Sequence, residues 1–408
     1  LYGMHWPYKQ HETSRNQRLL PYHDELKKAG ACFGQSGEYE RPMWYAVGET
    51  KPKYEYSFNY QNWYPSVEYE CKNTVKNVGL FELSPFSKYE VKGKKVHEEL
   101  QRLCTANIKD EIGKCTYTQM LNEGAGIETD LTVVCIDKNH FRLISSAAVR
   151  THDKTHIQKN LSKDIEFKDV TDDLICLGVF GPKSRELLSQ ISNEDFSNDN
   201  FKFGTSKNIK LGSTNVWVQR LSYVGELGYE IYAKSENANK IYNLIIDIGK
   251  KFNLSHCGAH TMDIMRMESG FLHWGHDISP EENQYQAGLN FTISYVKPFN
   301  FVGKEKLLKL KDQKQDKRFI MLCLNNSKPG NPLLLNEEPI YLNDEIIGKT
   351  TSGNYSFNYN KNLSFGYINS ILSDVELNQK DLFIEVEKKK HKAEILLKPL
   401  KQSNFKKI

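Results

Sequence analysis

The sequence lacks the features of several common protein classes. Its longest apolar runs, such as residues 131–136 and 175–180, are far shorter than the ~20 residues that a membrane-spanning helix needs. Lys and Arg total 55 against 51 Asp and Glu, and a net charge of +4 is too small to favour a nucleic acid or a membrane surface as partner. We therefore expect no membrane-spanning helix and neither a nucleic acid nor a membrane surface as partner.

Motifs for common cofactors and nucleophiles are also missing. No glycine fingerprint of a dinucleotide site, no phosphate-binding loop and no nucleophile elbow occurs. The eight cysteines are scattered without CxxC spacing, which predicts buried, reduced thiols in the cytoplasm, or in the mitochondrial matrix of a eukaryote. His256 and His260 could share a helix face, but without HExxH we expect no metal site.

The composition that remains is that of a globular protein. The chain has 408 residues, of which 39% are hydrophobic and 12% aromatic, enough for two or three domains. It opens on Leu1 rather than Met, so we expect a processed chain or part of a larger polypeptide. Residues 1–75 are rich in aromatics, with one short helix near 22–29 and otherwise irregular packing. Such a segment is typical of a connection that contacts another domain or a partner chain.

Patterning divides the rest of the chain. Residues 76–307 alternate strands and helices, and residues 308–318 form a polar, charged linker. Residues 319–408 read as short strands separated by turns, with the basic run 387–392 as a solvated hairpin turn. The sequence thus predicts an α+β protein with a mixed α/β core and a C-terminal all-β barrel.

The first segment that carries candidate functional residues spans residues 117–133. A strand enters the turn Glu123-Gly124-Ala125-Gly126 and another strand returns, with Asp130 near its start. An acid beside flexible backbone can approach a ligand closely. An ordinary hairpin with a solvated Asp130 is the alternative.

Two further segments follow the same logic. In residues 220–232, Glu226 lies in a turn between glycines and could accept hydrogen bonds from a donor-rich heterocycle, while Tyr223 could stack or donate. In residues 262–289, Arg266 precedes Trp274, and an Arg–carboxylate pair there could simply lock two domains together.

These segments together resemble a known family. The motifs are NEGAGIETDLTV, SYVGELGYEIY, RMESGFLHWGHDISPEENQYQAGL and FVGKEKLL. They resemble the tetrahydrofolate-dependent aminomethyltransferase fold of the glycine cleavage T-protein, and more closely the folate-binding C-terminal half of dimethylglycine and sarcosine dehydrogenases. Residues 14–46 and 81–93 resemble the segment that joins the flavin half of those enzymes to the folate half.

The resemblance implies roles for individual residues. Asp130 matches the family acid near N10 of the folate, and Glu226 matches the acid that recognises the pterin ring. Tyr223 matches the aromatic residue that precedes that acid. Asn122 and Gly126 lie on the turn that shapes the same pocket.

Arg266 and Trp274 match the family helix and the stretch after it, where their role can be structural only. Other positions depart from the T-protein pattern and fit the dehydrogenase branch better. These positions are Ala125, Thr129, Met262 and residues 145–147.

The resemblance implies capture of the carbon released by oxidative demethylation of dimethylglycine or sarcosine, with tetrahydrofolate as cofactor and 5,10-methylenetetrahydrofolate as product. No flavin half is visible, so FAD enters only through a flavoprotein partner or a fused domain. A self-sufficient tetrahydrofolate-dependent methyltransferase or demethylase and a non-catalytic folate-binding subunit are the alternatives.

Overall fold

The computed structural model describes residues 6–369, 372–402 and 406. The helices are α1 (His23–Lys28), α2 (Tyr64–Lys76), α3 (Val96–Leu103), α4 (Arg150–Asn160), α5 (Ser184–Ser189), α6 (Ala238–Gly249), α7 (Ala259–Glu268), α8 (Lys304–Lys311) and α9 (Asp374–Asn378), with 3-10 turns at Ser235–Asn237, Lys250–Phe252 and Asn290–Thr292. Within these described ranges no helix has the length and apolar character needed to cross a membrane.

The strands form four sheets. They are β1 (Ala31–Ser36), β2 (Tyr39–Tyr45), β3 (Val78–Glu82), β4 (Ser87–Lys92), β5 (Cys115–Leu121), β6 (Ile127–Asp137), β7 (His140–Ser145), β8 (Glu166–Asp169), β9 (Leu174–Phe180), β10 (Ser206–Leu211), β11 (Thr214–Gln219), β12 (Gly228–Lys234), β13 (Leu254–Cys257), β14 (Arg318–Leu324), β15 (Pro339–Leu342), β16 (Glu345–Ser356), β17 (Lys361–Ile368), β18 (Leu382–Val386) and β19 (Lys389–Ile395).

Two of these sheets build the core. One has six strands in the order β10-β11-β12-β9-β3-β13, and only its β3–β13 edge is parallel. The other has five antiparallel strands in the order β5-β6-β7-β4-β8. The predicted mixed α/β core is therefore confirmed.

Alternation along β12 shows how the six-stranded sheet divides its two faces. Tyr229 and Ile231 point to an apolar layer that also contains Ile241 and Ile245 of α6. Glu230, between them in sequence, points the opposite way because successive side chains of a strand alternate. One face of this sheet is thus covered by α6, while Tyr232 on the other face belongs to a cluster that includes Cys176 of β9 and Met265 of α7.

The five-stranded sheet follows the same rule. Leu131 and Val133 of β6 pack with Leu100 of α3 and Ile157 of α4 in one apolar cluster. Asp130, adjacent to Leu131, lies on the opposite face. Ile144 of β7 packs against the cluster that contains Tyr232 of β12 on the other face of the six-stranded sheet, so the faces that carry Asp130 and Glu230 are turned toward each other.

The C-terminal strands form a closed barrel in the order β14-β17-β16-β15-β18-β19. This confirms the predicted all-β domain, and β18 and β19 are the hairpin expected around the basic run. Helix α8 continues to Lys311, so the predicted linker 308–318 begins inside a helix.

The prediction of irregular packing for most of residues 1–75 is wrong. This segment contains the β1–β2 hairpin and the 13-residue helix α2. Trp44 and Trp63 are almost completely buried, in a cluster that includes Phe81 and Met265. Much of the aromatic content of the segment therefore packs against the core itself.

The cysteines lie where the sequence suggested. Seven of the eight are buried, Cys115 is half-buried, and none forms a disulfide. Buried thiols surrounded by apolar groups act as small hydrophobic residues.

Candidate functional site

The facing surfaces of the two sheets carry polar and charged side chains. On β11 and β12, Gln219 and Glu230 are cross-strand neighbours, and on β5 and β6, Gln119 and Asp130 are opposite each other. A sealed interior between two sheets would be lined by apolar groups. Polar groups at these positions make the facing surfaces the candidate site.

Tyr117 of β5 supports this interpretation. Its side chain is 40% exposed, yet burial raises the pKa of its hydroxyl well above the usual value. Both observations hold if the ring lines a cavity inside the protein, open to solvent molecules but surrounded by protein atoms. The neighbouring charge of Asp130 raises the same pKa further.

Asp130 is the acid that the sequence placed at the centre of the site. Its Oδ1 accepts a hydrogen bond of 2.7 Å from Gln119 Nε2. Burial raises the pKa of Asp130 to about 6, hydrogen bonds from Gln119 and Tyr117 oppose that rise, and the charge of Asp153 adds to it. A carboxyl group with this pKa is matched to proton transfer near neutral pH.

Glu230 was not among the predicted site residues, although it lies on the face of the six-stranded sheet that is turned toward the sheet of Asp130. Its Oε2 accepts a hydrogen bond of 2.8 Å from Tyr232 Oη, and burial raises its pKa to about 7. A sequence signal existed, because Glu230 stands between Tyr229 and Ile231, which both belong to the buried layer. An acid between two buried positions of a strand faces the other side of its sheet.

Tyr223 lies near Asp130, as the sequence suggested. Its hydroxyl donates a 2.7 Å hydrogen bond to the carbonyl of Leu272, and its ring stacks on Phe271 at 6.0 Å. Burial raises the pKa of Tyr223, and the charge of Asp130 contributes to that rise. The ring thus forms a wall of the site, with its hydroxyl already bonded.

Glu226 is turned toward the C-terminal segment. Its carboxylate forms an ion pair with Lys401, and both side chains are nearly buried. The preceding Gly225 has φ of +70°, and a Cβ there would approach Ser269 Oγ at 2.1 Å, so the turn requires glycine. Burial lowers the pKa of Lys401 to about 8.

Three other predicted residues build the turn before Asp130. Asn122 Oδ1 accepts from the Gly126 amide at 2.9 Å, and its Nδ2 donates to Glu128 at 2.8 Å. A Cβ on Gly126 would lie 2.1 Å from the carbonyl of Pro280. Trp274 Nε1 donates to the Ile127 carbonyl at 2.9 Å. These contacts fix the position of β6, and so of Asp130.

Arg266 joins the core to the barrel. Its Nη1 contacts Asp277 Oδ2 at 2.6 Å, and its Nη2 donates to Ser352 Oγ on β16 at 2.8 Å. Its Nε donates to Asp263 at 2.8 Å. This is the domain lock that the sequence analysis considered for an Arg–carboxylate pair.

The two histidines considered for zinc face different partners. His256 Nε2 lies 2.7 Å from the hydroxyl of Tyr242, and His260 Nε2 lies 2.8 Å from the hydroxyl of Tyr54. Within the part of the chain that the structure describes, no three His, Cys, Asp or Glu side chains form a metal-binding group.

Comparison with known families adds to this geometry. Residues 22–297 match the GCVT N-terminal domain, and residues 317–401 match the glycine cleavage T-protein C-terminal barrel domain. The chain belongs to the glycine cleavage T-protein family. The glycine cleavage aminomethyltransferase T of Bartonella henselae has the same fold, with a TM-score of 0.79 over 95% of this chain and 98% of that one, at 21% identity.

Curated relatives of this GCVT-family chain include longer proteins. It is 39% identical to 4-methylaminobutanoate oxidase (formaldehyde-forming) of Paenarthrobacter nicotinovorans, over 87% of this chain and 43% of that protein. It is 32% identical to human mitochondrial dimethylglycine dehydrogenase, over 94% of this chain and 44% of that protein. An aminomethyltransferase of Anoxybacillus flavithermus is 27% identical, over 82% of this chain and 90% of that protein. The chain thus spans less than half the length of the first two relatives.

Proposed function

We propose that this chain is a tetrahydrofolate-dependent one-carbon transfer unit. It takes the iminium- or formaldehyde-level carbon produced by oxidative demethylation of an N-methyl amino acid, such as dimethylglycine or sarcosine, and yields 5,10-methylenetetrahydrofolate. The observation that carries the proposal is the pair of half-buried acids with raised pKa values, Asp130 and Glu230, on the facing surfaces of the two sheets.

The side chains of the site suit the chemistry of a reduced pterin. A pterin edge presents N–H donors, for which a carboxylate such as Glu230 is an acceptor-only partner. The rings of Tyr117 and Tyr223 offer flat surfaces beside Asp130. When bound, tetrahydrofolate supplies the nucleophilic nitrogens N5 and N10 that accept the carbon.

The chain's own residues then manage the proton and the charge. Ionised Asp130 stabilises positive charge nearby and is poised to take a proton from the reacting amine. Gln119 and Tyr117 hold its carboxylate at a fixed place. The sheets that surround the site limit access of water, so that a reactive carbon is held close to its acceptor.

We place pterin recognition on Glu230 and keep Glu226 as the alternative. Glu230 lies on the surface of the six-stranded sheet that faces the sheet of Asp130. The carboxylate of Glu226, in contrast, is paired with Lys401. For Glu226 to bind the pterin, Lys401 would first have to leave it or share it.

We further propose a flavoprotein as the source of the carbon, with FAD held in a partner or in a fused domain. Two relatives named as an oxidase and a dehydrogenase are more than twice as long as the matched region. Trp6, Phe58 and Tyr60 offer an apolar surface for such a contact, because they are 47%, 48% and 53% exposed.

Calorimetric titration with tetrahydrofolate tests the proposal. The chain should bind tetrahydrofolate, and Glu230→Gln should weaken binding at least tenfold, which corresponds to ~1.4 kcal/mol. Glu226→Ala is the matched comparison and should have a smaller effect. The reverse order of effects would move pterin recognition to Glu226.

The alternatives predict other outcomes. A self-sufficient demethylase would transfer a methyl-derived carbon to tetrahydrofolate with no flavoprotein added. A non-catalytic folate-binding subunit would show methylene transfer that Asp130→Ala leaves unchanged. Absence of tetrahydrofolate binding by the natural full-length protein would contradict the proposed function.

A further inference from the structure

Gln119 is the direct neighbour of the Asp130 carboxylate. It lies opposite Asp130 in the register of β5 and β6, so the backbone ladder sets the distance between the two side chains. Its side chain is completely buried, and its Nε2 donates to Asp130 Oδ1 at 2.7 Å.

The other end of the same amide is held by a distant loop. Gln119 Oε1 lies 2.7 Å from Gln284 Nε2 and 2.6 Å from Thr292 Oγ1. Both residues belong to the segment between α7 and α8. Because the Gln284 amide and the Thr292 hydroxyl, which also contacts the Leu289 carbonyl at 2.7 Å, face the amide oxygen, the amide nitrogen of Gln119 faces the carboxylate.

We infer that Gln119, locked by Gln284 and Thr292, is a positioning residue for Asp130. The lock prevents rotation of the Gln119 amide. Such a rotation would bring the amide oxygen against the carboxylate of Asp130. The lock also gives a role to the motif of residues 262–289, which otherwise contributes structure only. The meaning of this inference for catalysis rests on the proposed function, but the lock itself can be measured without folate.

Few charged or titratable groups surround Asp130. Tyr117 approaches from β5 and Tyr223 from the loop before β12, and Asp153 acts from α4. Asp153 favours the protonated form of Asp130, and hydrogen bonding by Gln119 and Tyr117 favours the ionised form. Loss of the Gln119 donor should therefore raise the pKa of Asp130.

Carbon-13 NMR of aspartate-labelled, folate-free protein measures this pKa, and Asp130→Asn identifies the signal. Gln119→Met removes the donor at similar volume and should raise the pKa of Asp130 by about one pH unit. Gln284→Met should raise it by less. Gln286→Met is the matched control, because Gln286 is a buried amide of the same loop that bonds Asn283 and Asp316 instead.

An unchanged pKa of Asp130 in folded Gln119→Met would overturn the inference. If that variant fails to fold, Thr292→Val takes its place, since it removes one donor of the lock at nearly constant volume. A raised pKa in Thr292→Val supports the lock, and an unchanged one contradicts it. Tetrahydrofolate titration of the unsubstituted protein is read separately, so a lock without folate binding would contradict the proposed function alone.

Discussion

Ionising Asp130 in its desolvated position opposes folding. Its pKa rises from 3.8 to about 6 because of burial, so its contribution to stability is present at low pH and is lost as the pH rises through about 6. Asp130→Asn removes the charge and should raise the melting temperature at pH 8. The corresponding gain in unfolding free energy should be no more than about 3 kcal/mol. The gain should vanish below pH 4, and thermal unfolding at pH 4, 6 and 8 measures it.

The control for this change is Asp137→Asn, an exposed position at the end of the same strand. It should leave the pH dependence of stability as it is. A gain of equal size in both variants would mean that the burial of Asp130 is not its cause. Methylene transfer should be lost in Asp130→Asn alone, so the same carboxylate that lowers stability would be the one that serves the reaction.

At the scale of elements, Glu70 holds three segments together. Its carboxylate on α2 accepts from the Tyr45 amide at 2.7 Å and the Gly258 amide at 2.8 Å, and also from Thr261 Oγ1. Glu70→Ala leaves these buried donors without partners and should lower the unfolding free energy by about 3 kcal/mol. Hydrogen exchange should show the β1–β2 hairpin opening first.

Glu68→Ala is the comparison on the same helix. Glu68 is partly exposed and pairs with Lys72, and an i,i+4 pair of this kind contributes ~0.5 kcal/mol. Equal exchange rates for the hairpin in both variants would mean that Glu70 does not anchor it.

The same helix shows a limit of prediction from sequence. Helix α2 was missed because the segment was expected to pack irregularly, although Pro65 stands in its first turn, where proline is favoured. Strands were easier, since period-2 alternation marks β6 and β12 directly. The alternation gave each strand two faces, but it could not tell which face was covered by helices and which lined the site.

At the scale of the whole molecule, the barrel and the mixed core could be predicted, but the assembly of the site could not. Asp130 was found from its turn and its family resemblance. Gln119 and Gln284 are 165 residues apart, and no local pattern announces such a contact. The Glu226–Lys401 pair is a similar case, because it depends on where the segment after the barrel lies.

Arg266 carries the last prediction, which concerns the joint between core and barrel. Asp277 is completely buried and receives hydrogen bonds from Arg266, Thr351 and Ser352. Arg266→Met would leave that carboxylate without its cation, and breaking a buried pair in this way costs about 3–5 kcal/mol. Calorimetry should show a lower melting temperature, and proteolysis should become faster within residues 308–318.

Lys349→Met provides the matched comparison on the barrel, because Lys349 forms an exposed ion pair with Glu337. Exposed pairs contribute ~1 kcal/mol or less, so cleavage and melting should hardly change. If Arg266→Met behaved like Lys349→Met, the joint would have to rest on apolar contacts such as that of Met267 with Phe365. If Arg266→Met behaves as expected, the loop that carries Trp274 and Gln284 depends for its position on the buried Arg266. The reason is that Asp277, the partner of Arg266, lies in the same loop.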